Sequence, residues 1–255
     1  IQGPVRLSTA PDGSLMLTDD NGLRQHTADG ALVAELPTSA YPSRRNRLVM
    51  EPALTVGEGT GDRVMGIGTE WVAFRQLWKV VYAETEVRRY CRAGRCEIRP
   101  YLKVIWDSVL PQMTVRGDGV AAVAHEPTRN QFVVLTRYHT APFTRGVEAI
   151  EYQLLIYPLD GWGLKEIVPL PGDDREVIWA DVDAGPSGRI YVLDTLKDRV
   201  LVLAPDGTEI DTVPTPKDAW RVAGGPNDEM YFLTVYGHVV RTAADGTVLS
   251  RFVAR

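Results

Sequence analysis

Gly185-Pro186-Ser187-Gly188-Arg189-Ile190-Tyr191-Val192-Leu193-Asp194 leads through Lys197-Asp198-Arg199 into Val200-Leu201-Val202-Leu203-Ala204-Pro205-Asp206-Gly207-Thr208. About forty residues on, the phrase returns as Gly225-Pro226-Asn227-Asp228-Glu229-Met230-Tyr231-Phe232-Leu233-Thr234, running to Val239-Val240-Arg241-Thr242-Ala243-Ala244-Asp245-Gly246-Thr247. An N-terminal version reads Ala10-Pro11-Asp12-Gly13-Ser14-Leu15-Met16-Leu17-Thr18-Asp19 and ends at Ala28-Asp29-Gly30. Short apolar strands punctuated by Asp-Gly turns at this period are the pattern of propeller blades. Ile190 and Val192, with Val200 and Val202, alternate with other apolar residues, which suits strands buried on both faces. Asp29-Gly30, Asp206-Gly207 and Asp245-Gly246 supply the positive φ of tight hairpins. One blade cannot bury its own faces, so blades must stack.

The stretch 185–214 resembles the NHL repeat of six-bladed propellers. It has the Pro-x-Gly turn, a strand ending in Asp194, Arg199-Val200 after a short loop, and a closing Pro205-Asp206-Gly207. The likeness is strongest over 185–253 and weaker over 5–37, where Ala28 replaces the proline before Asp-Gly. In the last copy Thr234 takes the place of the strand-end Asp and Ala244 that of the proline. The expectation is an all-β chain forming a single β-propeller of four-stranded blades over 1–255. The turn prolines Pro11, Pro127, Pro186 and Pro226 space out to six blades, two of them poorly matched between 45 and 110. Five blades result if that region is one blade with a long insertion. Val5 to Thr9 opens a first inner strand, and Thr247 to Val253 finishes a last outer one. Loop insertions are expected near 41–47 and 139–150, and a hairpin at 87–101.

The chain has 255 residues, 44% of them hydrophobic, with 23 glycines, 17 prolines and a net charge of -5. That charge opposes general nucleic-acid binding, which rests on a basic face. No apolar window of membrane-spanning length is present. The first residue is Ile1 rather than Met, which leads to the expectation of a removed N-terminal segment, such as a secretory signal. The two cysteines, Cys91 and Cys96, flank Arg92-Ala93-Gly94-Arg95. If the flanks are hairpin strands, the pair faces across them within disulfide reach. A disulfide fits an oxidising, extracytoplasmic location: periplasmic, cell-surface or secreted. Two thiolates underfill a zinc shell, so a metal site there is disfavoured.

The same hairpin is the leading candidate for a binding surface. Arg88, Arg89, Arg92, Arg95 and Arg99 crowd together with Tyr90 and Tyr101, opposed by Glu97, in a chain that is acidic overall. Arg and Tyr are favoured interface anchors. The tip is expected to reach an acidic protein partner or a lipid headgroup, the latter as a peripheral membrane contact; the plain alternative is a solvated hairpin. Tyr138 and Arg145, in the inserted stretch after a strand, join this partner-binding set. Tyr41 to Arg47 is a further contact loop with the same character.

No catalytic motif stands out, and no cofactor is implied. Gly57-Glu58-Gly59-Thr60-Gly61 and Gly66-Ile67-Gly68 lack the Lys-Ser/Thr of a phosphate loop. Cys-x-x-Cys-His is absent, which excludes a c-type haem. His26, His125, His139 and His238 sit at unlike positions relative to their Asp-Gly turns. Asp19-Asp20-Asn21, Asp173-Asp174 and Asp181-x-Asp183 read as solvated turn residues, lacking the dense spacing of a calcium loop. The expected function is therefore a non-catalytic binding or scaffolding propeller, a subunit of a larger exported assembly engaging a protein partner. The alternative is a metal-dependent lyase or lactonase with its site at the central channel. Which small molecule, if any, binds is left open.

Overall fold

A computed structural model describes residues 6–9, 13–19, 22–37, 53–55, 63–72, 75–92, 95–109, 119–139, 150–158, 166–173 and 176–253. The chain forms two compact units, one of residues 1–6 and 10–110, the other of residues 7–9 and 111–255. Among the described residues the regular secondary structure is all β, apart from one short 3-10 helix at Pro226–Asp228.

The strands group into four-stranded antiparallel meanders. The first holds β1 (Arg6–Thr9), β2 (Leu15–Asp19), β3 (Gly22–His26) and β4 (Leu32–Pro37). A second holds β5 (Ala53–Thr55), β6 (Arg63–Val72), β7 (Arg75–Arg92) and β8 (Arg95–Val109). The third comprises β9 (Gly119–Glu126), β10 (Gln131–His139), β11 (Ile150–Pro158) and β12 (Glu166–Asp173). The fourth runs β13 (Trp179–Ala184), β14 (Ile190–Asp194), β15 (Arg199–Leu203) and β16 (Glu209–Pro214). The last is β17 (Ala219–Gly224), β18 (Met230–Thr234), β19 (His238–Thr242) and β20 (Val248–Val253).

The architecture is that of a β-propeller with four-stranded blades, but the blade count differs from both expected values. Four sheets among the described residues have blade form: β1–β4, β9–β12, β13–β16 and β17–β20. The region expected to hold two blades, or one with an insertion, instead forms β5–β8, whose β6, β7 and β8 run 10, 18 and 15 residues. The reason is local. Residues 75–92 contain no Gly, Pro, Asn or Asp, so nothing turns the chain at a blade's interval. Six, and equally five, blades are thus corrected to four. The insertion expected near 41–47 lies outside the described residues, as do residues 140–149 of the one expected near 139–150.

In the second unit, alternation along β14 and β15 explains the stacking. Ile190 and Val192, with Leu201 and Leu203, pack into one core with Ala122, Ala124, Val133, Leu135 and Leu154 of the preceding blade. Tyr191, Leu193, Val200 and Val202 turn the other way, into a core with Val222, Met230 and Phe232 of the following blade. A period of two therefore buries both faces of one sheet.

The Asp-Gly turns contribute to the same stacking. Gly207 has φ +84°, and a Cβ built there would lie 2.4 Å from Val168 Cγ2 of the preceding blade's outer strand. The glycine is required twice over, for the left-handed backbone and for the close approach. Gly237 has φ +77° with nothing within 4 Å of such a Cβ. Gly237→Ala should therefore cost only the conformational term, about 1–2 kcal/mol. Gly207→Ala should cost measurably more in urea unfolding, and equal costs would refute the packing role.

Candidate functional site

The first strands β9, β13 and β17 lie side by side. β13 carries Asp181 and Asp183, both buried. Asp181 Oδ2 accepts from the Val222 N–H at 3.0 Å and Asp183 Oδ2 from the Gly224 N–H at 2.9 Å. Each tie spans 41 residues, one repeat. Thr9 Oγ1 donates to the Gly224 carbonyl from the other side. These acids were expected to be solvated turn residues; the structure corrects that reading. Side-chain oxygens complete the main-chain hydrogen bonding of β17, which a buried strand edge needs.

Burial holds the Asp183 carboxyl well above the usual carboxylate range, opposed by the N–H groups of Gly224 and Ala184 and reinforced by the charge of Asp181. On β9, His125 is buried with Nε2 3.1 Å from Asn130 Oδ1, while its Nδ1 has no hydrogen-bond partner. Burial lowers its pKa, against the hydrogen bond that Nε2–H donates to Asn130 Oδ1. No group of three or more His, Cys, Asp or Glu among the described residues can hold a metal ion, and the oxygens of Asp181 and Asp183 that accept N–H groups are committed to main chain. Among the described residues, the first strands therefore assemble no divalent-ion shell.

The opposite end of the blades has different chemistry. In a meander, the turn between the second and third strands lies at the same end as the link into the next first strand. There the strand-end Asp194, fully buried, accepts at Oδ1 from the N–H groups of Ile178 (3.1 Å), Leu196 (3.1 Å) and Lys197 (3.3 Å), and at Oδ2 from Arg199 Nε at 3.0 Å. The Asp and Arg of the repeat motif are thus one device that shapes this turn. Main-chain bonds carry the pattern on: Thr195 N–H to Ile178 O, Thr215 N–H to Asp198 O and Val235 N–H to Asp218 O. In the last blade Thr234 takes the acid's place, and its Oγ1 accepts from His238 N–H.

Around these rigid turns sit large apolar side chains in water. Tyr236 is 73% exposed, Val235 60%, Leu196 49% and Ile178 43%. Sequence reading missed all four, because nothing in an apolar turn residue says whether a neighbour covers it. The signal available was the mismatch of Leu196, Val235 and Tyr236 with turn chemistry.

Of the expected contact residues, Arg88, Arg89, Tyr90 and Arg92 lie on β7 and Arg95 and Arg99 on β8, in one hairpin. The register sets Cys91 opposite Cys96, and the two form a disulfide with Cα atoms 4.1 Å apart. Tyr138 falls near the end of β10; Arg145 lies outside the described residues.

No protein-family model matches the chain, and no curated protein matches it. Solved structures do resemble it. A streptogramin B lyase is 12% identical over 99% of this chain and 69% of its own, with a TM-score of 0.39. Virginiamycin B lyase from Staphylococcus aureus is 10% identical over 99% of this chain and 84% of its own, TM-score 0.42. Regucalcin from Agrobacterium tumefaciens, described as a calcium-binding protein, is 12% identical over 99% and 75%, TM-score 0.45.

Two measurements check the site's energetics. Asp194→Ala removes a buried carboxylate that four donors share, and should cost about 3–5 kcal/mol in denaturant unfolding; a loss under 1 kcal/mol would contradict the anchoring role. Asp183 has a raised folded pKa, so its contribution is complete below the ordinary carboxyl range and is lost as pH rises through the raised value. Between pH 4 and neutrality the stability of Asp183→Asn, relative to wild type, should therefore rise, as followed by urea midpoints.

Proposed function

We propose that this chain is a non-catalytic binding propeller, a scaffolding subunit of an extracytoplasmic assembly, which engages a protein partner through one face. The observation that carries the reading is the row of exposed apolar residues Ile178, Leu196, Val235 and Tyr236 at one end of adjacent blades. Large apolar side chains held in water at one end of two adjacent blades suit an interaction surface. Tyr is among the residues that dominate binding energy. Asp194 holds the N–H groups of both Ile178 and Leu196, so these two are ordered before a partner arrives, which lowers the entropy cost of docking. The disulfide supports an oxidising compartment.

One observation favours the second reading, a metal-dependent lyase or lactonase. His125 is buried on an inner strand with an unpartnered Nδ1, and such a group is a site candidate. Stoichiometric divalent metal in the purified protein, lost in His125→Ala, would replace the binding reading with this one.

Native mass spectrometry on protein isolated gently from its source should find a stoichiometric complex. Within it, Tyr236→Ala and Leu196→Asp should each weaken capture about thirtyfold, the loss typical of an anchor. Ile210→Asp, also exposed but on the outer strand β16, should leave capture intact. A monomer, or equal capture by all three variants, would overturn the proposal.

A further inference from the structure

The hairpin of the first unit carries an independent inference. β6 pairs with β7 only as far as Arg63 opposite Glu84. Beyond that, among the described residues, 85–92 pair with 95–102 alone. The result is a two-stranded arm about 26 Å long, at about 3.3 Å per residue. Alternation sorts its residues by face. One face holds Glu86, Arg88, Tyr90 and Arg92, opposite Tyr101, Arg99, Glu97 and Arg95 respectively. The other holds Thr85, Val87, Arg89 and Cys91, opposite Leu102, Pro100, Ile98 and Cys96.

Two rungs of the first face place arginine directly opposite arginine, Arg88 with Arg99 and Arg92 with Arg95. Like charges directly opposite destabilise an antiparallel pair. The disulfide rung, Cys91 opposite Cys96, lies between those two rungs and links the strands covalently there. Arginines paired in register concentrate positive charge, and guanidinium groups recognise phosphate oxygens in bidentate fashion.

We infer that this arm docks on the surface of an anionic phospholipid bilayer, its arginine pairs at the depth of the headgroup phosphates. The opposite face supports lipid over a soluble partner. It carries Val87, Ile98, Pro100 and Leu102 around the one basic residue Arg89, and a membrane interface takes up a cationic and an apolar face together. Tyr90 and Tyr101 share the arginine face, and tyrosine suits the headgroup level. The chain's net charge of -5 limits contact with an extended polyanion to this arm.

The test is sedimentation of the full chain with vesicles of phosphatidylcholine, with and without phosphatidylglycerol. The protein should sediment with the anionic vesicles at low salt and not with phosphatidylcholine alone. Arg92→Gln combined with Arg95→Gln, and separately Arg88→Gln with Arg99→Gln, should each weaken this about thirtyfold, at about 1 kcal/mol per charge near the surface, with the melting temperature kept. Tyr90→Trp should show blue-shifted fluorescence on anionic vesicles. No sedimentation of the wild type, unchanged binding in both folded double variants, or arginine-dependent capture of an acidic protein that anionic vesicles do not compete away would each overturn the inference.

Discussion

The stacking of this protein's blades depends on how the first strand of each blade meets the next. A sheet edge that is buried leaves N–H groups with no ladder partner, and each such group is costly. On β17 the cost is met by two carboxylates from β13, Asp181 and Asp183, reaching across one repeat to Val222 and Gly224. The alternative, a continuous sheet, would flatten the turn from blade to blade. Side-chain ties allow adjacent first strands to lie close without joining. The charge of the acids is the cost of that arrangement, visible in the raised pKa of Asp183.

Around those ties the two ends of the blades have diverged. At the end bearing the first turns, short polar groups interlock across blades: Ser187 donates to Asp228, Arg189 pairs with the same carboxylate, and Gln131 reaches Pro205. At the other end Asp194 and Arg199 shape a turn whose apolar residues face water. A buried ion pair is weak evidence for stability in itself. Here its effect is geometric, because the carboxylate collects N–H groups from two chain segments and holds both in register.

The sheet β5–β8 follows other rules. Its strand β7 has no turn chemistry along 75–92, so alternation extends into a hairpin and then into an arm joined near its tip by a disulfide. Repeat physics, in which each unit is stabilised by its neighbours, does not apply to such an arm. Its composition is correspondingly free to serve contact.

Much of this was legible in residue order. The Pro-turn, the alternating strand and the Asp-Gly hairpin of 185–214 specify local conformation through φ, period and hydrogen-bond chemistry that operate over a few residues, and the cysteine pair follows from a tight loop. What local chemistry leaves open is everything that depends on a neighbour forty residues away. Asp181 and Asp183 look like solvated acids until β17 is placed beside them, and Leu196 and Tyr236 look like ordinary apolar residues until nothing covers them. The blade count went astray for a different reason, the run 75–92 that holds no turn residue. Sequence by itself determined where each strand bends and which residues alternate, because those are set by backbone sterics and side-chain period. Only the tertiary structure decided which carboxylates tie blades together and which apolar residues stay in water, because burial is a property of the packed neighbours and not of the residue.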